Sequence, residues 1–179
     1  PVCLQSPETE QAAITCAAVM KSTITFAGCV TMIEAQLTKI TNASRLYADS
    51  NVFIYLIESS PEYFILAKRV FDHIDAVGAR LLTNELTLAE CIYKPSRDDN
   101  TALVSKYEAF LEPGDEIEII GLDGALAWRA AKAGGKLGLK LADAVHYLSA
   151  YETGCQFFVT ADTRVRSSPG LEVLNIRSQ

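Results

Sequence analysis

From Arg45 onward, the apolar positions of the chain follow two alternating periods. Short, nearly continuous apolar runs at Arg45–Asp49, Arg80–Thr83, Ile117–Ile120, Gln156–Thr160 and Leu171–Ile176 predict strands. Between them the apolar residues recur every three or four positions. The clearest case is Phe64, Ala67, Val70, Phe71 and Ile74, which predicts a helix over Glu62–Val77 with Gly78 as its stop. The same reading gives helices over Asn51–Glu58, Glu85–Tyr93, Thr101–Leu111, Leu122–Ala133 and Leu141–Tyr151. Ser59-Ser60-Pro61, Pro95, Pro113-Gly114, Gly134-Gly135 and Gly154 are read as the breaks that end them. Strands alternating with helices specify an α/β fold whose central parallel sheet is covered on both faces. In such folds ligands gather at the carboxyl ends of the strands.

Residues 1–44 do not follow this scheme. They are mostly Ala, Thr, Ser and scattered aliphatics, and are read as an N-terminal extension, either an extra packed element or a poorly ordered segment, ahead of one domain over 45–179. At 49% hydrophobic, the chain has ample material for a core. Its net charge of −6 argues against a protein that grips nucleic acid through a broad basic face, but not against an enzyme that brings phosphate to an acidic site through metal ions. The five cysteines are scattered without ligand spacing, which excludes a zinc site and favours free thiols. No run is long enough for a membrane span. The apolar stretch from Ala12 to Val30 lacks a basic leader and is interrupted by Lys21, so a soluble, cytoplasmic protein is expected.

Four acids sit where a solvated surface charge is out of place. Asp49 precedes Ser50-Asn51 and the apolar run Val52–Ile57; Glu90 closes Leu86-Thr87-Leu88-Ala89; Asp143 lies within Leu141–Val145; Asp162 follows Phe157–Ala161. Singly, each has an ordinary explanation: a helix cap for Asp49 and Asp162, a favourable helix-dipole position for Asp143, a helix side chain reaching solvent for Glu90. Together they point to a shared cation, because burying several unpaired carboxylates in one region is costly. All-oxygen donors suit Mg²⁺ or Mn²⁺.

The segments Tyr47–Phe53, Leu86–Glu90, Leu141–His146 and Val159–Asp162 resemble, in order, the four signature stretches of PIN domains, with gaps between the acids of 41, 53 and 19 residues. The resemblance runs from about Leu46 to Ile176 and is closest to the VapC-type toxins of toxin–antitoxin pairs. It implies a three-layer α/β/α fold and a metal-dependent endoribonuclease, with Asp49, Glu90, Asp143 and Asp162 as catalytic and metal-binding acids supported by Asn51 and Thr160. It further implies RNA as substrate, a homodimer, and an antitoxin whose tail covers the acids. Thr163-Arg164-Val165-Arg166 stands where the family often carries an aromatic.

Weaker signals change little. His146 is read as packing rather than as a ligand, and Trp128 as a core or dimer contact. Lys94, Arg97, Lys132, Lys136, Lys140, Arg164 and Arg166 are candidate RNA contacts, most of them ordinary surface charges. The glycine-rich stretch from Gly134 to Gly138 lacks the ending of a phosphate-binding loop, and no nucleophile elbow is present. Two other functions remain open: a catalytically inactive PIN-like binding or scaffold module, and a metal-assisted phosphate-ester hydrolase for small molecules.

Overall fold

The computed structural model describes residues 33–112 and 117–177. Most of the expected extension, including Cys3, Cys16 and Cys29, and the Pro113-Gly114 break lie outside these residues. Five strands, β1 (Arg45–Ala48), β2 (Arg80–Asn84), β3 (Ile117–Ile120), β4 (Phe157–Thr160) and β5 (Glu172–Asn175), form a single sheet in the order β3-β2-β1-β4-β5. Every pairing is parallel, with Leu46 of β1 opposite Leu81 on one side and Phe157 on the other. Helices α1 (Ser50–Ile57), α2 (Phe64–Val77), α3 (Glu85–Arg97), α4 (Thr101–Phe110), α5 (Gly124–Leu137) and α6 (Leu141–Glu152) connect the strands. This is the expected parallel α/β architecture.

Both faces of the sheet are buried, which is why its strands read as apolar runs rather than as alternations. Leu46, Ala48, Leu81, Phe157, Val159 and Leu174 pack on one side with α1, α2, Cys91, Tyr107 and Leu111. Their strand neighbours Tyr47, Leu82 and Phe158 point to the other side, against Tyr147 and Ala150 of α6 and Val165 and Leu171. The chain builds β1, β2 and β3 outward in one direction, and then β4 and β5 in the other. The direction therefore reverses between β1 and β4, and an open parallel sheet forms its ligand crevice at the carboxyl ends of such a pair.

Two helices run past their expected stops. α3 continues through Pro95 to Arg97 because Thr87, Cys91 and Pro95 form its buried stripe at four-residue spacing. Pro95 sits in the last turn, where its missing N–H forfeits one helical bond, and its carbonyl still accepts from the Asn100 amide at 2.8 Å. α5 starts at Gly124, capped by Asp123 on the Leu126 amide at 2.7 Å, and continues through the glycine pair to Leu137. Gly134 is there for closeness: a Cβ on it would stand 2.6 Å from the Ala144 Cβ of α6. The left-handed residue that ends the helix is Gly138, at φ 67°.

The apolar residues of α1 and α2 are largely covered within the chain. Phe53, Ile57, Leu66 and Val70 are buried, and Phe53, Phe71 and Phe110 meet edge to face. Ile33, Leu37 and Ile40 join the same core, and Glu34 pairs with Arg69 of α2, so the end of the expected extension does pack on this face. Among the apolar residues from Phe53 to Phe71, Ile65 is exposed, at 48%. Trp128 is not a core residue: it is 67% exposed, with the Lys132 amine 5.2 Å from its ring.

The two glycines of α5 should respond oppositely to alanine. Gly134→Ala is expected to destabilise by about 1–3 kcal/mol through overpacking. Gly135→Ala, with nothing within 4 Å of the new methyl, should stabilise by about 0.5–1 kcal/mol. Urea denaturation of both variants checks this, and equal effects would contradict the α5–α6 contact.

Candidate active site

Asp49 is the first residue beyond β1, and its amide donates to the Val159 carbonyl of β4 at 3.1 Å, which places it at the switch-point crevice. Its Oδ1 accepts from the Asn51 amide at 3.1 Å and so caps α1; its Oδ2 accepts from the Thr160 hydroxyl. The same Thr160 oxygen accepts from the Asp162 amide at 2.9 Å. Thr160 thus ties the acid after β1 to the acid after β4. Asn51 supports Asp49 through its backbone.

Asp162 is held to Asp143 by Arg164. The Arg164 Nε lies 2.9 and 3.0 Å from the two Asp162 oxygens, and its Nη2 bonds both Asp162 and, at 2.7 Å, Asp143 Oδ2. The Arg164 amide adds a bond to Asp162 at 2.8 Å. Asp143 sits in the first turn of α6, and one turn later His146 lies buried on the same helix. His146 Nε2 is 2.9 Å from Glu90 Oε2, and its Nδ1 is 2.9 Å from the Tyr47 hydroxyl. A carboxylate only accepts, so Nε2 donates to Glu90. His146 therefore orients Glu90, and both of its nitrogens are occupied.

Asp49, Asp162 and Asp143 are thus joined through Thr160 and Arg164, while Glu90 is held in a second set by His146 and Tyr47; Asp143 and His146, one turn apart on α6, bring the two sets side by side. Buried polar residues floor the site: Thr83 donates to the Ala48 carbonyl at 2.9 Å and lies 2.6 Å from Thr87, while Asn84 donates to Ser149 at 3.0 Å. A cavity of about 790 Å³ lies elsewhere, at the amino ends of β2 and β3, and touches none of the acids.

The PIN domain family profile matches residues 46–170. The chain belongs to the PIN domain family. Comparison with curated proteins finds no match. Among solved structures, the PIN domain here is similar to a VapBC2 from Rickettsia felis bound to a DNA fragment from its promoter, with 18% identity and a TM-score of 0.55 over 73% of this chain and 98% of that one. It is also similar to VapC20 from Mycobacterium tuberculosis, a toxin that cleaves the sarcin–ricin loop (14%, 0.54, over 63% and 86%), and to a DNA-bound VapBC from Salmonella typhimurium (20%, 0.54, over 75% and 99%). At these identities the likeness establishes the fold.

Within this PIN domain, several basic candidates are engaged away from the acids. Lys94 and Arg97 both pair with Asp98, Lys132 lies over Trp128, and Arg166 bonds the carbonyls of Thr163 and Val165. Arg164 alone among them pairs with the acids. The sequence offered a faint sign of this, its position two residues past Asp162. Tyr47, two residues before Asp49 and between Leu46 and Ala48, marked the His146 network in the same way.

The acids fall into two electrostatic classes. Burial pushes Asp49 up from 3.8 to about 6, against the opposing bonds from Thr160 and the Val52 and Asn51 amides and the charge of His146. Burial also raises Asp143, and the neighbouring charge of Asp162 adds to it, despite Arg164 and Lys140. Asp162 is lowered by its bonds to Arg164. For Glu90 burial is the largest single influence and acts upward, but the bonds from His146 and Ser50 and the charge of His146 outweigh it, so its carboxyl lies below the usual range. A fold that raises an acid's pKa favours the neutral form. Asp49 therefore contributes most below about pH 4 and costs stability as pH rises through about 6. The neutral, still-accepting Asp49→Asn should melt higher than the wild type at pH 7.5 without metal, by about 1–3 kcal/mol, and lose that advantage by about pH 4. Thermal unfolding across pH checks it; no gain at pH 7.5 would contradict the burial of a charged Asp49.

Proposed function

We propose that the chain is a divalent-metal-dependent endoribonuclease, the toxin of a toxin–antitoxin pair, in which Asp49, Glu90, Asp143 and Asp162 hold Mg²⁺ or Mn²⁺ against an RNA phosphate. The observation that supports this is the linking of Asp49, Asp162 and Asp143, from three segments, through Thr160 and Arg164 at the switch-point crevice, with Asp49 desolvated and raised and Glu90 held by His146 of the helix that carries Asp143. That arrangement disfavours the protein alone and suits a cation.

The donor chemistry fits a hard cation: all carboxylate oxygen, with no thiol nearby that is not buried as an ordinary core group. The present spacing is closed, since each acid bonds a protein donor and, among the described residues, no three His, Cys, Asp or Glu side chains form a group able to enclose an ion. Loading therefore requires the carboxylates to exchange partners. When bound, such a cation supplies an acidified water and neutralises charge that builds up on the phosphate. The chain does the positioning. Thr160 and the Asn51 amide fix the two Asp49 oxygens, His146 fixes one Glu90 oxygen, and Arg164 holds Asp143 and Asp162.

The partners proposed with this reading are RNA, a second copy of the chain and an antitoxin. Support for the last comes from the solved neighbours, several of which are toxin–antitoxin complexes. Among the described residues no helix is long and apolar enough to cross a membrane. The pairing of the acids with protein donors is the one observation that favours the alternative, an inactive binding module whose site needs no metal.

Incubating total RNA with the protein and Mn²⁺ separates the two. Cleavage is expected with Mn²⁺ and not with EDTA, and Asp49→Asn and Glu90→Gln should each lower it by roughly a hundredfold or more. RNA bound but left intact in Mn²⁺ and Mg²⁺ would overturn the nuclease reading.

A further inference from the structure

The backbone that carries Arg164 is fixed at both ends. The Asp162 carbonyl accepts from Asn175 at 2.9 Å, Val165 is buried in the second core, and Tyr147 donates to the Arg166 carbonyl at 3.2 Å. Val165 thus fills the space under the loop, and Arg164 projects away from the core. Its side chain is 47% exposed, and it ends on Asp143 and Asp162, two of the four proposed ligands. A guanidinium that bridges two carboxylates offers them the same positive charge as a cation would, through directed bonds. The other cation near this pair, Lys140, acts on Asp143 through its charge but makes no ion pair with it.

We propose that Arg164 is a two-position residue: turned in, it occupies the Asp143–Asp162 pair and competes with the divalent cation; turned out, it binds the phosphate of the RNA strand at the mouth of the site. This rests on the proposed nuclease function and names the residue that exchanges places with the metal. In the inward position, the negative charges of Asp143 and Asp162, which otherwise repel, are compensated, so the metal-free protein tolerates its own acids. Displacement costs nothing in backbone order, because the loop is anchored on either side of the arginine. The released guanidinium then stands at the edge of the acids on a chain of net charge −6, where several of the other basic candidates are already engaged with Asp98, Trp128 or backbone carbonyls. A planar fork of donors is the side chain that suits both a carboxylate pair and a phosphate.

The two positions give opposite signs to two readouts of one variant. Calorimetric titration with Mn²⁺ should show Arg164→Gln binding the ion more tightly than the wild type, by roughly tenfold. RNA cleavage by the same variant at saturating Mn²⁺ should show KM rising by roughly five- to tenfold, with kcat changed much less. Arg164→Lys, which keeps the charge but cannot bridge both carboxylates, should bind Mn²⁺ more tightly than the wild type and restore KM most of the way. Melting of each variant without metal controls for folding. A variant that binds Mn²⁺ no more tightly than the wild type overturns the competition, and an unchanged KM overturns the phosphate role; in both cases the nuclease reading stands. If neither wild type nor variant binds Mn²⁺, the metal site itself is wrong, and this inference falls with it.

Discussion

A carboxylate that folding strips of water is the constraint around which the rest of this structure is arranged. Asp49 is 6% exposed, directly beyond the central strand, and its burial costs more than its hydrogen bonds return. A buried aspartate that merely capped α1 would be replaceable by asparagine or serine at no such cost. Under the proposed function, a bound cation offsets that cost. The neighbouring acids do not relieve the cost, since Asp143 is itself raised by burial and by Asp162.

The sheet topology brings this about with short-range means. Asp49 and Asp162 leave adjacent strands in the same direction, and Thr160, the last residue of β4, bonds one and receives the amide of the other. Glu90 and Asp143 come from helices and need separate anchoring. For Glu90 this is the Tyr47–His146 relay, in which a strand tyrosine fixes the imidazole and the imidazole fixes the carboxylate. Tyr47 stacks on Phe158 at 5.5 Å, so the relay is seated in the second core rather than on a mobile loop. For Asp143 and Asp162 the anchor is Arg164, whose side chain is half exposed.

Much of this was legible in the sequence because it follows from local pattern. The continuous apolar runs of the strands, the three- and four-residue spacing of α2 and the glycine at its end are properties of neighbouring residues, and they emerged as read. The four acids stood out because each interrupts an apolar context. What was hidden depends on residues far apart in the chain. Pro95 and Gly134 looked like helix ends, yet Pro95 belongs to a buried stripe and Gly134 makes room for Ala144. Trp128, read as a core or dimer contact, is not in the core but faces solvent, since apolar character alone does not say which side of a helix is buried. The pairing of Arg164 with Asp143 spans 21 residues, and the relay from Tyr47 to His146 spans 99; no spacing rule covers either.

The most direct test is to soak crystals of the full chain in Mn²⁺ and locate the ion by its anomalous scattering. A peak is expected about 2–2.4 Å from oxygens of Asp49 and of Glu90 or Asp143, with the Arg164 guanidinium withdrawn from Asp143 and Asp162. No peak at the acids at millimolar Mn²⁺, with Arg164 still seated between Asp143 and Asp162, would contradict the account.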